Sequence, residues 1–132
     1  MGGFGSWSFA SEHPELIAAA LPIAGGGDVF KFSITSYTSH LDNLKVADAN
    51  NLVDIPVWAF HGNSDTVVPI DIDQEIVDQL TELGGDVQLT IYPGVGHDSW
   101  TQTYNNKEIY PWLLSKRKDL TDSRIKNSST YK

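Results

Sequence analysis

Ile55-Pro56-Val57-Trp58-Ala59-Phe60-His61 is apolar on both faces of any strand it forms, and no other stretch constrains the fold as tightly. A strand that hides both faces belongs inside a parallel sheet, because the crossover connections of such a sheet place helices above and below it. The residues that follow fit this reading. Gly62-Asn63-Ser64-Asp65 is rich in turn formers. A helix is predicted to start near Asp71, with Ile72, Ile76, Val77, Leu80 and Leu83 on one face. Gly84-Gly85 then ends it where a left-handed residue is favoured. Asp86–Tyr92 alternates polar and apolar residues at period two, as a half-exposed edge strand should.

The upstream residues extend the alternation. A glycine cluster, Met1-Gly2-Gly3-Phe4-Gly5, leads into a short predicted helix that ends near Pro14. Gly2 and Gly3 suit a cramped strand-to-helix turn, where backbone passes close to backbone. The apolar run Leu16–Ala24, closed by Gly25-Gly26-Gly27, predicts a buried strand over Ala18–Ile23. Pro22 counts against that strand, because it cannot donate to a ladder. Residues 29–43 have no clean period and read as an excursion carrying Phe30, Phe32 and Tyr37. Leu44–Leu52 is predicted helical with Leu44, Ala47 and Leu52 inward, and Lys107–Lys118 forms a last helix burying Ile109, Trp112 and Leu113. Parallel strands alternating with helices define the α/β class.

Charge and composition narrow the function. The net charge is −8, which argues against nucleic acid as a partner. It is unevenly spread, with +4 from Lys116 onward and −12 before it. Residues 119–132 are therefore expected to form a basic, solvated tail after a domain over 1–118. No cysteine is present, so disulfides and thiolate metal sites are excluded. No apolar run approaches the roughly 20 residues that span a bilayer. The sequence leaves the cellular location open.

In open parallel sheets, functional groups gather in loops at the carboxyl ends of strands. Two such loops carry titratable residues here. Asp65 lies four residues after His61, and His97 lies five after Tyr92. The chain order acid then histidine matches the second and third members of the α/β-hydrolase order, serine, acid, histidine. In that chemistry the histidine is general base and the acid fixes its tautomer. Taken singly, an aspartate after a strand is ordinarily a turn former, and a histidine in a Gly-rich loop is unremarkable. Their joint placement favours chemistry. His61 belongs to a strand end and is expected to pack or bond the turn backbone. Ser64 sits in a near G-x-S-x-G, but Thr66 replaces the last glycine and no helix follows at once. Ser6 and Ser8 fall inside the opening helix. His61, Asp65, His97 and Asp98 lack the compact spacing of a metal site, and no metal or other cofactor is expected.

Three blocks then carry a resemblance. Met1-Gly2-Gly3-Phe4-Gly5-Ser6-Trp7, Phe60-His61-Gly62-Asn63-Ser64-Asp65-Thr66-Val67-Val68-Pro69 and Tyr92-Pro93-Gly94-Val95-Gly96-His97-Asp98-Ser99-Trp100 resemble α/β-hydrolase esterases. The group is that of phospholipase/carboxylesterase and dienelactone-hydrolase-like enzymes, including the predicted peptidase-like esterases. The resemblance covers about residues 1–115 and implies the C-terminal half of an α/β-hydrolase fold. It implies Asp65 as triad acid, His97 as triad base, and Met1 at the position whose backbone N–H helps form the oxyanion hole. The nucleophilic serine has no counterpart. Met1-Gly2 would complete its elbow only if a serine stood before Met1, so the chain is expected to be a truncated portion of a serine esterase, inactive alone.

Trp100 is expected either to wall the substrate pocket or to pack the last helix. Phe30 and Tyr37 are candidates for substrate recognition in a small cap. The expected partner is a small-molecule ester. Without the strand that precedes the nucleophile in the family, Ala18–Ile23 would leave an apolar edge open, to be covered by the absent N-terminal half or by a second copy. The alternative is a non-catalytic α/β-hydrolase-like module that binds a ligand or partner through the cleft.

Overall fold

The structure, a computed structural model, describes residues 2–29 and 45–118. Met1, Phe30, Phe32, Tyr37 and the basic tail at 119–132 lie outside the described residues.

The elements in chain order are α1 (Gly2–Glu12), a 3-10 turn (Pro14–Leu16), a second 3-10 turn (Ala49–Leu52) and β1 (Val57–Gly62). They continue with α2 (Ile70–Glu82), β2 (Val87–Tyr92), α3 (Trp100–Tyr104) and α4 (Ile109–Ser115). Strands β1 and β2 are parallel, with Val57 opposite Val87 and Gly62 opposite Tyr92. Every residue of β1 is buried, while β2 buries only Tyr92 fully, as the two sequence patterns require.

The segment over Ala18–Ile23 does not form the continuous strand expected. It makes two isolated parallel bridges to β1, Ala20 with Val57 and Ile23 with Phe60. Its backbone still follows a ladder: Ala20 N–H donates to Pro56, Trp58 to Ala20, Phe60 to Pro22 and Ala24 to Phe60. The bond absent from that series is the one Pro22 would donate, and Pro22 has no N–H. One proline thus splits a strand into two bridges without removing it from the sheet.

Leu44–Leu52 differs more. Leu44 lies outside the described residues, residues 45–48 are irregular, and only Ala49–Leu52 is helical, as a 3-10 turn. Asp48 is its N-cap, with extended backbone (φ −92°, ψ 112°) and a side chain that accepts Asn50 N–H, so helical geometry starts only at Ala49. Ala47 and Leu52 are inward as expected. In the last segment, Ile109 is buried and Trp112 half-buried, but Leu113 is exposed, because α4 is a short helix with one inward turn. Leu83 is also exposed, beyond the last buried turn of α2, and Gly84 follows with φ +78°, which suits glycine.

Glycines set the closest approach. Gly3 of α1 lies against Ile23 and Gly25, and a Cβ on either Gly3 or Gly25 would collide with the other's backbone. This contact holds the first turn of α1 over the end of the 18–24 segment. Ala24, just before Gly25, takes φ +54°, a left-handed conformation uncommon for alanine. α1 is a poor helix by propensity, with Gly2, Gly3 and Gly5 in its first turn. Burial of Phe4, Trp7 and Ala10 along one face supplies what propensity lacks.

Candidate active site

The register of β1 and β2 brings their carboxyl ends to one level, because Gly62 and Tyr92 are paired. The loops that leave them are bolted together. Ser64 N–H donates to the Val95 carbonyl at 2.9 Å, and Gly94 N–H donates to Asn63 Oδ1 at 2.8 Å. Gly94 has φ +71°, and Gly62 lies so close to the Val95 and Gly96 carbonyls that no Cβ would fit. Glycine at both positions is what lets the second loop fold down onto the first.

Asp65 and His97 meet at that junction. His97 Nδ1 lies 2.9 Å from Asp65 Oδ2. The Asp65 side chain is fully buried, and its Oδ1 accepts the N–H groups of Val67 and Val68, each at 2.8 Å. Those bonds fix the carboxylate as an acceptor. Nδ1 of His97 is therefore the donor, and Nε2 is left as the nitrogen able to take a proton. The His97 ring is 29% exposed, so it faces both protein and solvent.

A cleft of about 340 Å³ opens beside it. Its lining brings His97, Trp100 and Tyr104 together with Gly2, Gly3 and Ser6 of α1 and with Leu21, Ile23 and Ala24. Trp100 stands edge-on to His97 with ring centroids 5.3 Å apart and is 40% exposed. It lines the cleft. The first turn of α1 and the His97 ring thus share one opening. Ser6 donates to the Gly2 carbonyl, and Ser64 lies on the exposed turn, donating to Asn63 Oδ1 at 3.3 Å. Neither serine is hydrogen-bonded to His97.

Behind Asp65 lies a second polar cluster that sequence reasoning only touched. His61 is fully buried, with Nε2 2.8 Å from the Val68 carbonyl oxygen and Nδ1 3.0 Å from Asp73 Oδ2. The turn contact was expected; the acid was not. Asp73 sits on the buried face of α2 among Ile72, Ile76 and Val77, and Trp7 Nε1–H donates to its Oδ1 at 2.9 Å. The signal was an acid within an apolar arc, which is rare unless the acid is paired. Burial pulls the His61 pKa down, but the bonds to Asp73 and Val68 and the charges of Asp73 and Asp65 outweigh it and hold it above the ordinary value. Burial pushes the Asp73 carboxyl up, against the bonds from His61 and Trp7.

The Asp73 shift acts in the lower, carboxylate range, whereas the raised His61 value means that His61 holds its proton more tightly folded than unfolded. The stability this gives is fully present below the unfolded histidine value, about pH 6.5, and is lost as pH rises through the folded one. The urea-midpoint difference between wild type and Asp73→Asn should therefore shrink from pH 6 to pH 9. A difference constant with pH would contradict the assignment.

Among the described residues, no group of three His, Cys, Asp or Glu side chains is placed to hold a metal, and no helix is long and apolar enough to cross a membrane. Parallel strands crossed by helices, with an acid and a histidine meeting at the strand ends, are the marks of an α/β hydrolase. Residues 29–108 match the phospholipase/carboxylesterase family, and the chain belongs to that family. It is 35% identical to acyl-protein thioesterase 1 of Gibberella zeae over 69 residues, 52% of this chain and 28% of that protein. It superposes on the crystal structure of a thermostable esterase with a TM-score of 0.70 and 37% identity, over 87% of this chain and 28% of the other. A SOBER1 variant from Arabidopsis thaliana shares the fold, with a TM-score of 0.58 at 20% identity over 85% of this chain and 48% of the other. The chain thus spans 28% of the length of the thioesterase and of the thermostable esterase.

Proposed function

We propose that this chain carries the acid and the general base of a Ser–His–Asp carboxylic ester hydrolase, whose nucleophile lies on polypeptide preceding Met1. The observation behind the reading is the 2.9 Å contact of His97 Nδ1 with Asp65, at the mouth of a cleft shared with the first turn of α1. A serine just before that turn would reach the cleft beside His97. Nε2 of His97 would take the serine proton as Oγ attacks the ester carbonyl, and Asp65 would hold the imidazolium that forms. The imidazolium would then give its proton to the leaving alkoxide. Water, activated by the same nitrogen, would release the acid from the acyl-enzyme.

The Met1 position is assigned an oxyanion-hole N–H, which the positive end of α1 would reinforce. Trp100 is assigned the wall of the substrate pocket, and Phe30 and Tyr37 remain candidates for substrate contact. Residues 1–118 belong to this one domain, and the preceding chain would also cover the outer side of the 18–24 segment.

The test joins this chain to a family N-terminal segment bearing the elbow serine and assays p-nitrophenyl acetate and an acyl thioester. Turnover blocked by a serine-directed sulfonyl fluoride is expected from the joined protein, and none from residues 1–132 alone. Serine-dependent turnover by the 132 residues alone, or turnover indifferent to the reagent, would overturn the reading.

A further inference from the structure

His61 is wholly enclosed, and no step of the proposed reaction uses it. Its chemistry is nonetheless constrained. The Val68 carbonyl oxygen can only accept, so the Nε2 that lies 2.8 Å from it carries a hydrogen. A neutral ring with its hydrogen there would set the bare Nδ1 lone pair against Asp73 Oδ2, 3.0 Å away. One further proton is needed between them. The imidazole is the stronger base of the two, and Asp73 already has Trp7 Nε1–H donating to its other oxygen at 2.9 Å. The proton belongs on His61, which makes it an imidazolium facing a carboxylate. Its Nε2 also stands 3.3 Å from Asp65 Oδ2, the oxygen that binds His97.

We propose that His61 is a positioning residue for the Asp65–His97 pair, a buried cation that shares the Asp65 oxygen with His97 and limits how strongly that carboxylate holds the His97 proton. This rests on the reading of His97 as general base. The charged groups facing His61 are Asp73 from α2 and Asp65 from the loop after β1. Trp7 of α1 brings a neutral indole to Asp73, and His97 meets His61 only across Asp65. The arrangement has a consequence for catalysis. A base bound too strongly to its acid would stay protonated near neutral pH, and a cation on the far side of the acid opposes that.

The experiment is a nitrogen-15 NMR titration of the histidine rings in the 132-residue chain and in Asp73→Asn. In that variant the new amide can accept from Trp7 and donate to His61 Nδ1, so the bonds survive while His61 becomes neutral. Wild-type His61 is expected to show two protonated nitrogens at pH 7. The His97 midpoint is expected to move upward in Asp73→Asn, because of the two charges lost the His61 cation is the one that faces Asp65. A neutral His61 in wild type, or an unmoved His97 midpoint in a folded variant, would overturn the proposal. If Asp73→Asn does not fold, His61→Gln removes the same charge and keeps a donor for Val68. Neither readout depends on turnover. If the shift is seen but the protein joined to its elbow-serine segment shows no serine-dependent ester hydrolysis, the esterase reading fails and the coupling stands.

Discussion

Replacing His97 by alanine in a protein that joins this chain to its nucleophile should lower kcat for an ester by about 10⁶-fold, with KM little changed. The effect is this large because the members of such a site work as a unit. Without His97 Nε2 nothing takes the serine proton, and Asp65 has no ring to orient. Asp65 would keep its bonds from Val67 and Val68, so the fold should persist while the chemistry stops. The combined variant Asp65→Asn with His97→Ala should be scarcely slower than His97→Ala alone. A loss below 100-fold in kcat, in a protein that still folds, would remove His97 from the role of base.

The largest expected effect on stability comes from Phe60→Ala, about 3–5 kcal/mol. Phe60 is fully buried at the centre of β1, with its ring 5.0 Å from Trp58 and 6.0 Å from Tyr92. Its backbone also links β1 to the 18–24 segment through bonds with Pro22 and Ala24, so little around it can collapse into the gap. Domains of this size have only about 5–15 kcal/mol in hand, so the variant should lose a large share of its stability. The control is Leu114→Ala, at a position 81% exposed, which should shift stability by no more than about 0.5 kcal/mol. Urea denaturation followed by near-UV circular dichroism measures both. Equal midpoints for the two variants would mean that the core is not organised around β1.

The parts of the fold that were legible in the sequence are those where one physical signal acts alone. β1 was legible because a strand buried on both faces must be apolar throughout. α2 was legible because its inward residues keep a helical period and Gly84 stops it. The meeting of Asp65 and His97 followed from strand-end placement alone, since parallel strands in register deliver their carboxyl-end loops together. What escaped depends on contacts distant in sequence. Asp73 was hidden because pairing with His61 and Trp7 offsets its burial, and neither partner is near it in sequence. Asn63 reads as a turn former in the sequence, yet its side chain ties the loop after β1 to the loop after β2. The short α3 was missed because Trp100–Tyr104 has no apolar period, and its Thr103 hydroxyl is held by Tyr92 and Ser99. The helix expected over Leu44–Leu52 is cut short for a local reason, because Asp48 takes the extended N-cap conformation and helical geometry starts only at Ala49.

One measurement bears most directly on the central claim, that Asp65 and His97 serve a serine lying before Met1. The protein is isolated from its source, treated with a fluorophosphonate, and its intact mass and labelled peptide are read. The account predicts one adduct, on a serine in a segment N-terminal to Met1 and next to the start of α1. No adduct, or an adduct on Ser6, Ser64 or another serine within residues 1–132, would contradict it.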